Sequence, residues 1–302
     1  MRRLAYVTPL PPLASGIADY SAELLPHLAR HFAVEVFAEP GPRPPRALLD
    51  ALPPVHPLAD LPARAAAFDA VLYQLGNNGD FHGGAYRALF ATPGIVVLHE
   101  LVLHHMVREL TLVAGDRGAY LDEVRYAGGR SGGLLAKRSL DTGTGFDVWS
   151  YPLFERVVDA SLGVLVHGEG SRRRVLASRP RAAVHAVPFP WSGESEAAAG
   201  DPASLRARLG VPPDALLIAA FGYMTRAKRL DVALRAFARI AARHPQAYFL
   251  VIGEVSKDYD ISALVPEALL PRVVLAGRPP LADFLAWMAA ADVAVNLRWP
   301  SA

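Results

Sequence analysis

Short, continuously apolar runs recur along this chain at Leu4–Thr8, Ala33–Ala38, Ala70–Leu75, Gly94–His99, Gly163–His167 and Ala183–Val187. They recur again at Leu216–Phe221, Tyr248–Gly253, Val273–Ala276 and Val293–Leu297. A strand buried on one face alternates apolar with polar residues, whereas an unbroken run is buried on both faces, as in a parallel sheet covered by helices. Segments of helical spacing separate the runs, so the expectation is an α/β chain with doubly wound parallel sheets. Ligands of such sheets gather beyond the carboxyl ends of the strands, which makes the residues just after each run the ones to inspect.

A length of 302 residues, 52% of them hydrophobic, suffices for about two domains with buried cores. The expected division is a first domain over 1–191, a Ser-, Gly-, Ala- and Glu-rich linker over 192–203, and a second domain over 204–302. The formal charge of +2 is spread over both halves, so neither carries the footprint of a nucleic-acid binder. The absence of cysteine excludes disulfides and thiolate chemistry and fits a reducing compartment. No apolar stretch reaches the ~18 residues needed to span a bilayer, which leads to the expectation of a cytoplasmic protein.

Phe221-Gly222-Tyr223-Met224-Thr225-Arg226-Ala227-Lys228-Arg229-Leu230 joins a buried strand to a helix expected to run to about Arg243, with Thr225 as its N-cap. Lysine occurs only at Lys137, Lys228 and Lys257. One of the three stands at this turn, in what should be the first helical turn. Positive charge is unfavourable there unless an anion arrives, so the turn reads as a phosphate receiver. After the first run, Gly16 closes a loop before a helix expected from about Ile17 to Arg30, where backbone can approach a ligand, with Asp19 and Glu23 near the helix start and Tyr20, Leu24, Leu25 and Leu28 along its apolar stripe.

Polar residues cluster beyond other runs: Gln74, Asn77 and Asn78; His99 and Glu100; His167, Gly168 and Glu169. His99 and His104 are five residues apart, off the same-face spacing of a helix, so no metal site is expected. His99 reads either as a histidine facing the ligand or as a satisfied structural one. Between Val113 and Tyr151, repeated glycines and arginines predict an insertion of short helices and mobile loops.

In this order and spacing, the residues resemble the retaining glycosyltransferases of the GT-B architecture. The resemblance rests on Pro11-Pro12 and Gly16-Ile17-Ala18-Asp19-Tyr20, on Val96-Val97-Leu98-His99-Glu100, and on Val166-His167-Gly168-Glu169. In the second half it rests on Phe221-Gly222, Lys228-Arg229-Leu230-Asp231, Leu250-Val251-Ile252-Gly253-Glu254, Val274-Leu275-Ala276-Gly277 and Ala291-Asp292-Val293-Ala294-Val295. It implies two Rossmann-like domains, the second incomplete. It also implies transfer of a sugar from a nucleotide-sugar donor to a sugar, glycan or glycolipid acceptor, without metal or cofactor.

The same resemblance assigns roles. His99 would lie beside the transferred sugar, Lys228 would hold the diphosphate, and Gly16 would face it. Gly277 would stand near the base, with Gly222, Tyr223, Glu254 and Arg278 as further donor contacts. Asn77, Glu100 and His167 fall on the acceptor side. Family members place an arginine after the glycine matching Gly222; here it is Tyr223, and Arg226 is expected to substitute. The family's His-Asp pair reads His99-Glu100. The family pattern continues into a paired-glutamate motif, whereas this sequence stops at Trp299-Pro300-Ser301-Ala302. The expectation is a truncated form, peripheral contact at the inner membrane face is a further option, and the alternative is an inactive GT-B-like binding module.

Overall fold

The computed structural model describes residues 1–42, 44–189, 201–256, 260, 261 and 263–298. The chain divides into two units, Met1–Pro190 and Trp191–Ala302. Of the expected linker over 192–203, residues 192–200 lie outside the described residues; helix already begins at Pro202, where Asp201 accepts from the backbone N–H groups of Ala203 and Ser204.

In chain order the first unit contains β1 (Arg3–Val7), α1 (Gly16–Leu28), β2 (Ala33–Ala38), α2 (Arg46–Ala51), β3 (Val55–Pro57), α3 (Leu61–Arg64), β4 (Ala70–Leu75), α4 (Gly79–Ala91) and β5 (Ile95–Leu98). It continues with α5 (His104–Arg108), α6 (Arg117–Thr142), α7 (Glu155–Ala160), β6 (Gly163–Val166), α8 (Glu169–Ser178) and β7 (Val184–Ala186). Its seven strands are parallel in the order β3-β2-β1-β4-β5-β6-β7. Ala5, Val7, Tyr73, Leu75, Val96 and Leu98 bury one face, while Leu4, Tyr6, Val34 and Val36 bury the other. The unbroken apolar runs are therefore two-faced strands, as their composition requires. The order reverses between β1 and β4, which opens a crevice beyond their carboxyl ends.

The second unit contains α9 (Pro202–Arg208), β8 (Leu216–Phe221), α10 (Leu230–Ala241), β9 (Ala247–Ile252), β10 (Val273–Gly277), α11 (Leu281–Ala290) and β11 (Val293–Val295). Its parallel order β10-β9-β8-β11 reverses between β8 and β11. Leu230, Ala233, Leu234, Phe237 and Ala241 of α10 cover one face. Leu205, Ala286, Trp287 and Ala290 cover the other. Arg206 pins α9 to α11 by donating to the carbonyls of Ala290 and Ala215. Among the described residues β11 pairs only with β8, and Val293 is exposed at this edge.

Several expectations fail for identifiable reasons. β3 went unread because three residues ending in proline carry no period. Where helical spacing was expected between β9 and β10, there is a 3₁₀ stretch at Glu267–Arg272, opened by Pro266 and ended past Pro271. The glycine-rich insertion, expected as short helices and mobile loops, is mostly helical, with irregular chain from Gly143 to Tyr151. Its main element is α6, broken only at Gly129, where φ is 64° and ψ is −165°.

A straight helix would separate Arg117 from Asp141 by about 36 Å, yet the two form an ion pair, so the halves of α6 fold back on each other. Two glycines of its second half lie close against neighbouring segments. A Cβ on Gly132 would stand 2.7 Å from the Tyr151 ring, and one on Gly133 would stand 3.3 Å from the Arg125 Cβ. No helix of the described residues is long and apolar enough to cross a membrane.

Candidate functional site

The two switch-point crevices hold different chemistry. In the first unit Ser15 caps α1, its Oγ accepting from Ile17 N at 3.2 Å, and a Cβ on Gly16 would meet nothing within 4 Å. Open space therefore lies over the first turn of α1. Behind it, Tyr20 turns its ring toward the strand ends. Its centroid lies 4.8 Å from His99, at an interplanar angle of 85°, and 5.7 Å from His167. His99 and His167 are themselves 4.9 Å apart, and Phe189 packs on both Tyr20 and His167.

His99 Nε2 lies 2.8 Å from Gln74 Oε1. Burial, helped by His167 and His82, pushes the His99 pKa down to about 3. Burial likewise pushes His82 down to about 4, against a hydrogen bond to the Gln74 backbone. His167 is also lowered by burial, which the Val187 carbonyl partly offsets. This crevice therefore presents neutral imidazoles and aromatic edges at neutral pH.

Asn77 and Glu100 are tied into the rim. The Asn77 backbone N–H donates to Glu100 Oε1 at 3.1 Å, and Asn77 Oδ1 accepts from Met106 N at 3.0 Å. Asn78 caps α4 by accepting from Phe81 N, and Glu109 accepts from Gly79 N, so protein groups already satisfy the start of that helix. His104 is structural: buried, it bonds the Tyr151 carbonyl and the Tyr120 hydroxyl.

In the second unit Gly222, Gly253 and Gly277 stand beyond β8, β9 and at the end of β10, with φ of 95°, 125° and 62°. Gly253 N–H donates to the Gly277 carbonyl at 2.6 Å and Gly222 N–H to the Ile252 carbonyl at 2.8 Å. A Cβ on Gly253 would be 2.2 Å from the Gly222 carbonyl oxygen, so only glycine permits this approach. The result is a side-chain-free floor.

Lys228 reaches over that floor. Its Nζ donates to the Phe221 carbonyl at 3.2 Å and would be 3.4 Å from a Cβ on Gly222. Its place differs from the expected first helical turn. Arg226–Lys228 is a 3₁₀ turn, Thr225 makes no side-chain cap, Arg229 adopts a left-handed φ of 51°, and α10 starts only at Leu230. The left-handed residue breaks the helix and lets the Lys228 side chain double back to the strand end.

Burial, then the nearby Arg298, lowers the Lys228 pKa. Arg298 went unremarked in the sequence because nothing local marks it. It follows β11, which pairs with β8 at Val295↔Ala220, so it leaves the sheet at the same end as the turn that carries Lys228. Tyr223 is 56% exposed, Glu254 accepts from Met224 N through its backbone carbonyl, and Glu254 and Arg278 are both exposed on the rim. Arg226 lies in the same turn as Lys228. Lys228, with Arg298 near it, beside bare glycine backbone makes a positively charged place for an anion.

No family model matches the chain, and no curated protein matches it in sequence. Solved structures do. HepE of Anabaena in complex with UDP-glucose is 15% identical over 100% of this chain and 75% of its own, with a TM-score of 0.61. Sucrose-phosphate synthase from Thermosynechococcus elongatus is 17% identical over 98% of this chain and 75% of its own, with a TM-score of 0.59. WaaG, a glycosyltransferase involved in lipopolysaccharide biosynthesis, is 12% identical over 98% of this chain and 75% of its own, with a TM-score of 0.60. At such identities the likeness is one of fold, and the two parallel sheets match the Rossmann-like domains of the GT-B architecture.

Proposed function

We propose that this protein is a nucleotide-sugar-dependent glycosyltransferase that moves a sugar to an acceptor hydroxyl with retention of configuration. The observation that carries this reading is the glycine floor of the second unit with Lys228 folded back over it. A diphosphate needs backbone within reach and positive charge at the same spot, and a leaving diphosphate needs them most in the transition state. HepE, with the same fold, has been solved with UDP-glucose, which favours a nucleoside diphosphate as the anion.

In this reading Lys228 and Arg226 hold the diphosphate, and Gly222, Tyr223, Glu254, Gly277 and Arg278 line the donor site. Gly16 leaves room for the phosphates or the sugar. His99 meets the sugar, and Asn77, Glu100 and His167 serve the acceptor, a sugar, glycan or glycolipid. As the bond from the anomeric carbon to the phosphate oxygen breaks, the acceptor oxygen bonds to that carbon on the same face, and its proton passes to the departing phosphate. The leaving group is thus its own base, and neither metal nor organic cofactor is required.

The test is a thermal-shift and calorimetric panel of UDP, GDP, ADP and their sugars. One nucleotide should raise apparent stability, by about 2.7 kcal/mol at a hundredfold excess over Kd. The anomeric configuration of the product, read by NMR, then decides retention. Binding without turnover would indicate an inactive module, and no binding of any nucleotide would overturn the reading.

A further inference from the structure

Gln74 is a polar side chain in the middle of an apolar sheet, with 0% of its surface exposed between Tyr73 and Leu75 of the core. Its Oε1 lies 2.8 Å from His99 Nε2, its backbone bonds His82, and its side-chain Nε2 is buried without a partner among the described residues. A buried amide donor left unpaired is destabilising, and an aliphatic residue would fill the same volume without that cost. The retained amide therefore has its purpose on the His99 side.

The pairing Leu75↔Leu98 sets Gln74 one residue before, and His99 one residue after, the same rung of β4 and β5. The side-chain bond spans that diagonal. Rotation of the His99 ring is restricted by Tyr20, edge-on at 4.8 Å, and by His167 at 4.9 Å. The groups facing it, His167 from the end of β6, His82 from α4 and Tyr20 from α1, supply no negative charge at neutral pH. A carbonyl oxygen only accepts, so the imidazole nitrogen facing Gln74 Oε1 must carry the hydrogen, and in a neutral ring the lone pair then resides on Nδ1.

We infer that Gln74 is a positioning residue that fixes His99 as the neutral Nε2–H tautomer. His99 then meets its ligand as a hydrogen-bond acceptor for a hydroxyl, not as a cation for an anionic group. The hydroxyl's identity as one of the bound sugar's rests on the proposed function; the tautomer does not. The consequence for specificity is that a sugar bearing a carboxylate or phosphate at the position next to His99 finds no counter-charge there.

Histidine-nitrogen NMR on the whole chain, with His99→Gln identifying the resonance, reads the tautomer without any substrate. The expected spectrum is Nε2–H at neutral pH with no titration of His99 down to about pH 5. A hydrogen on Nδ1, or titration between about pH 6 and 7, would overturn the inference. Gln74→Glu sets a carboxylate against Nε2 and should raise the His99 midpoint by about 2 units or more. In the transfer reaction it should lower kcat at pH 7 by about tenfold or more, with donor KM changed by less than about threefold.

Gln74→Leu, which keeps the volume, should give mixed tautomers and a similar fall in kcat. If either variant lowers only the melting temperature and leaves the His99 spectrum unchanged, Gln74 is merely structural and the inference fails. Should the protein bind no nucleotide, the proposed function falls, while the tautomer measurement still decides the part played by Gln74.

Discussion

Beyond the strands of the first unit stand rings: Tyr20 against His99, His167 and Phe189, and His167 against His99 and Phe189, with burial holding the imidazoles neutral. Beyond those of the second stand glycines and cations, Gly222, Gly253 and Gly277, with Lys228 over Gly222 and Arg298 close enough to lower the lysine's pKa. Both crevices arise from the same topology, a reversal of strand order in a parallel sheet. The fold thus supplies a place and the residues supply the chemistry: lone pairs and ring edges in one unit, and positive charge beside bare backbone in the other.

The harshest way to break this contrast is Gly253→Ala. Its Cβ would meet backbone at 2.2 Å and 2.6 Å, at a φ of 125°. Backbone cannot step aside as a side-chain tip can, so the second unit should lose more than about 3 kcal/mol, read as faster hydrogen exchange in β8 and β9 with the first unit unchanged. Full stability for this variant would show that the glycine floor is not as close as described.

Lys228→Ala separates charge from fold. It removes one hydrogen bond to Phe221, a loss of about 1 kcal/mol, while transition-state stabilisation in sugar transfer should fall by about 2–3 kcal/mol, read as kcat/KM. An unchanged kcat/KM would remove the anion site from the second unit and end the contrast.

Acid should act on the first unit. His82 and His99 are depressed to about 4 and about 3, below the ordinary value of about 6.5, so the unfolded chain binds the extra protons as pH falls. Stability is fully present above about pH 6.5 and is lost on the way down toward those folded values. At pH 5 the buried His82 alone should account for about 2 kcal/mol, seen as acid-accelerated exchange in β4 and β5 but not in β8 and β9.

The smallest change in stability, and a sharp one in function, belongs to Gly16→Ala. Alanine suits a helix better by about 0.5–1 kcal/mol, and its methyl would meet nothing in the protein. Melting temperature should hold or rise while nucleotide-sugar binding weakens. Unaltered binding would mean that the open space over α1 is only solvent.

The strands and the α10 helix were legible because their information is local. Unbroken apolar runs and a helical stripe such as Leu230, Ala233, Leu234, Phe237 and Ala241 survive any tertiary arrangement that buries them. The residues at the strand ends were legible for the same reason, since the ends follow from the runs. His99 and His167 were readable as strand-end residues, but their contact with Tyr20 was not, because three distant segments meet there.

By itself, the sequence determined that this chain is α/β with parallel sheets, and it marked Lys228 as a cation whose local setting conflicts with stability alone and Gly16 as a place where backbone can approach a ligand. Tertiary structure alone decided that Arg229 turns left-handed so that Lys228 folds back, that Gly132 and Gly133 serve a helical hairpin, and that Gln74 grips His99. The reason is range. Periodicity and turn chemistry act over a few residues, whereas a backbone approach of 2.2 Å to a would-be Cβ or a bond of 2.8 Å across two strands exists only once the register has brought remote segments together.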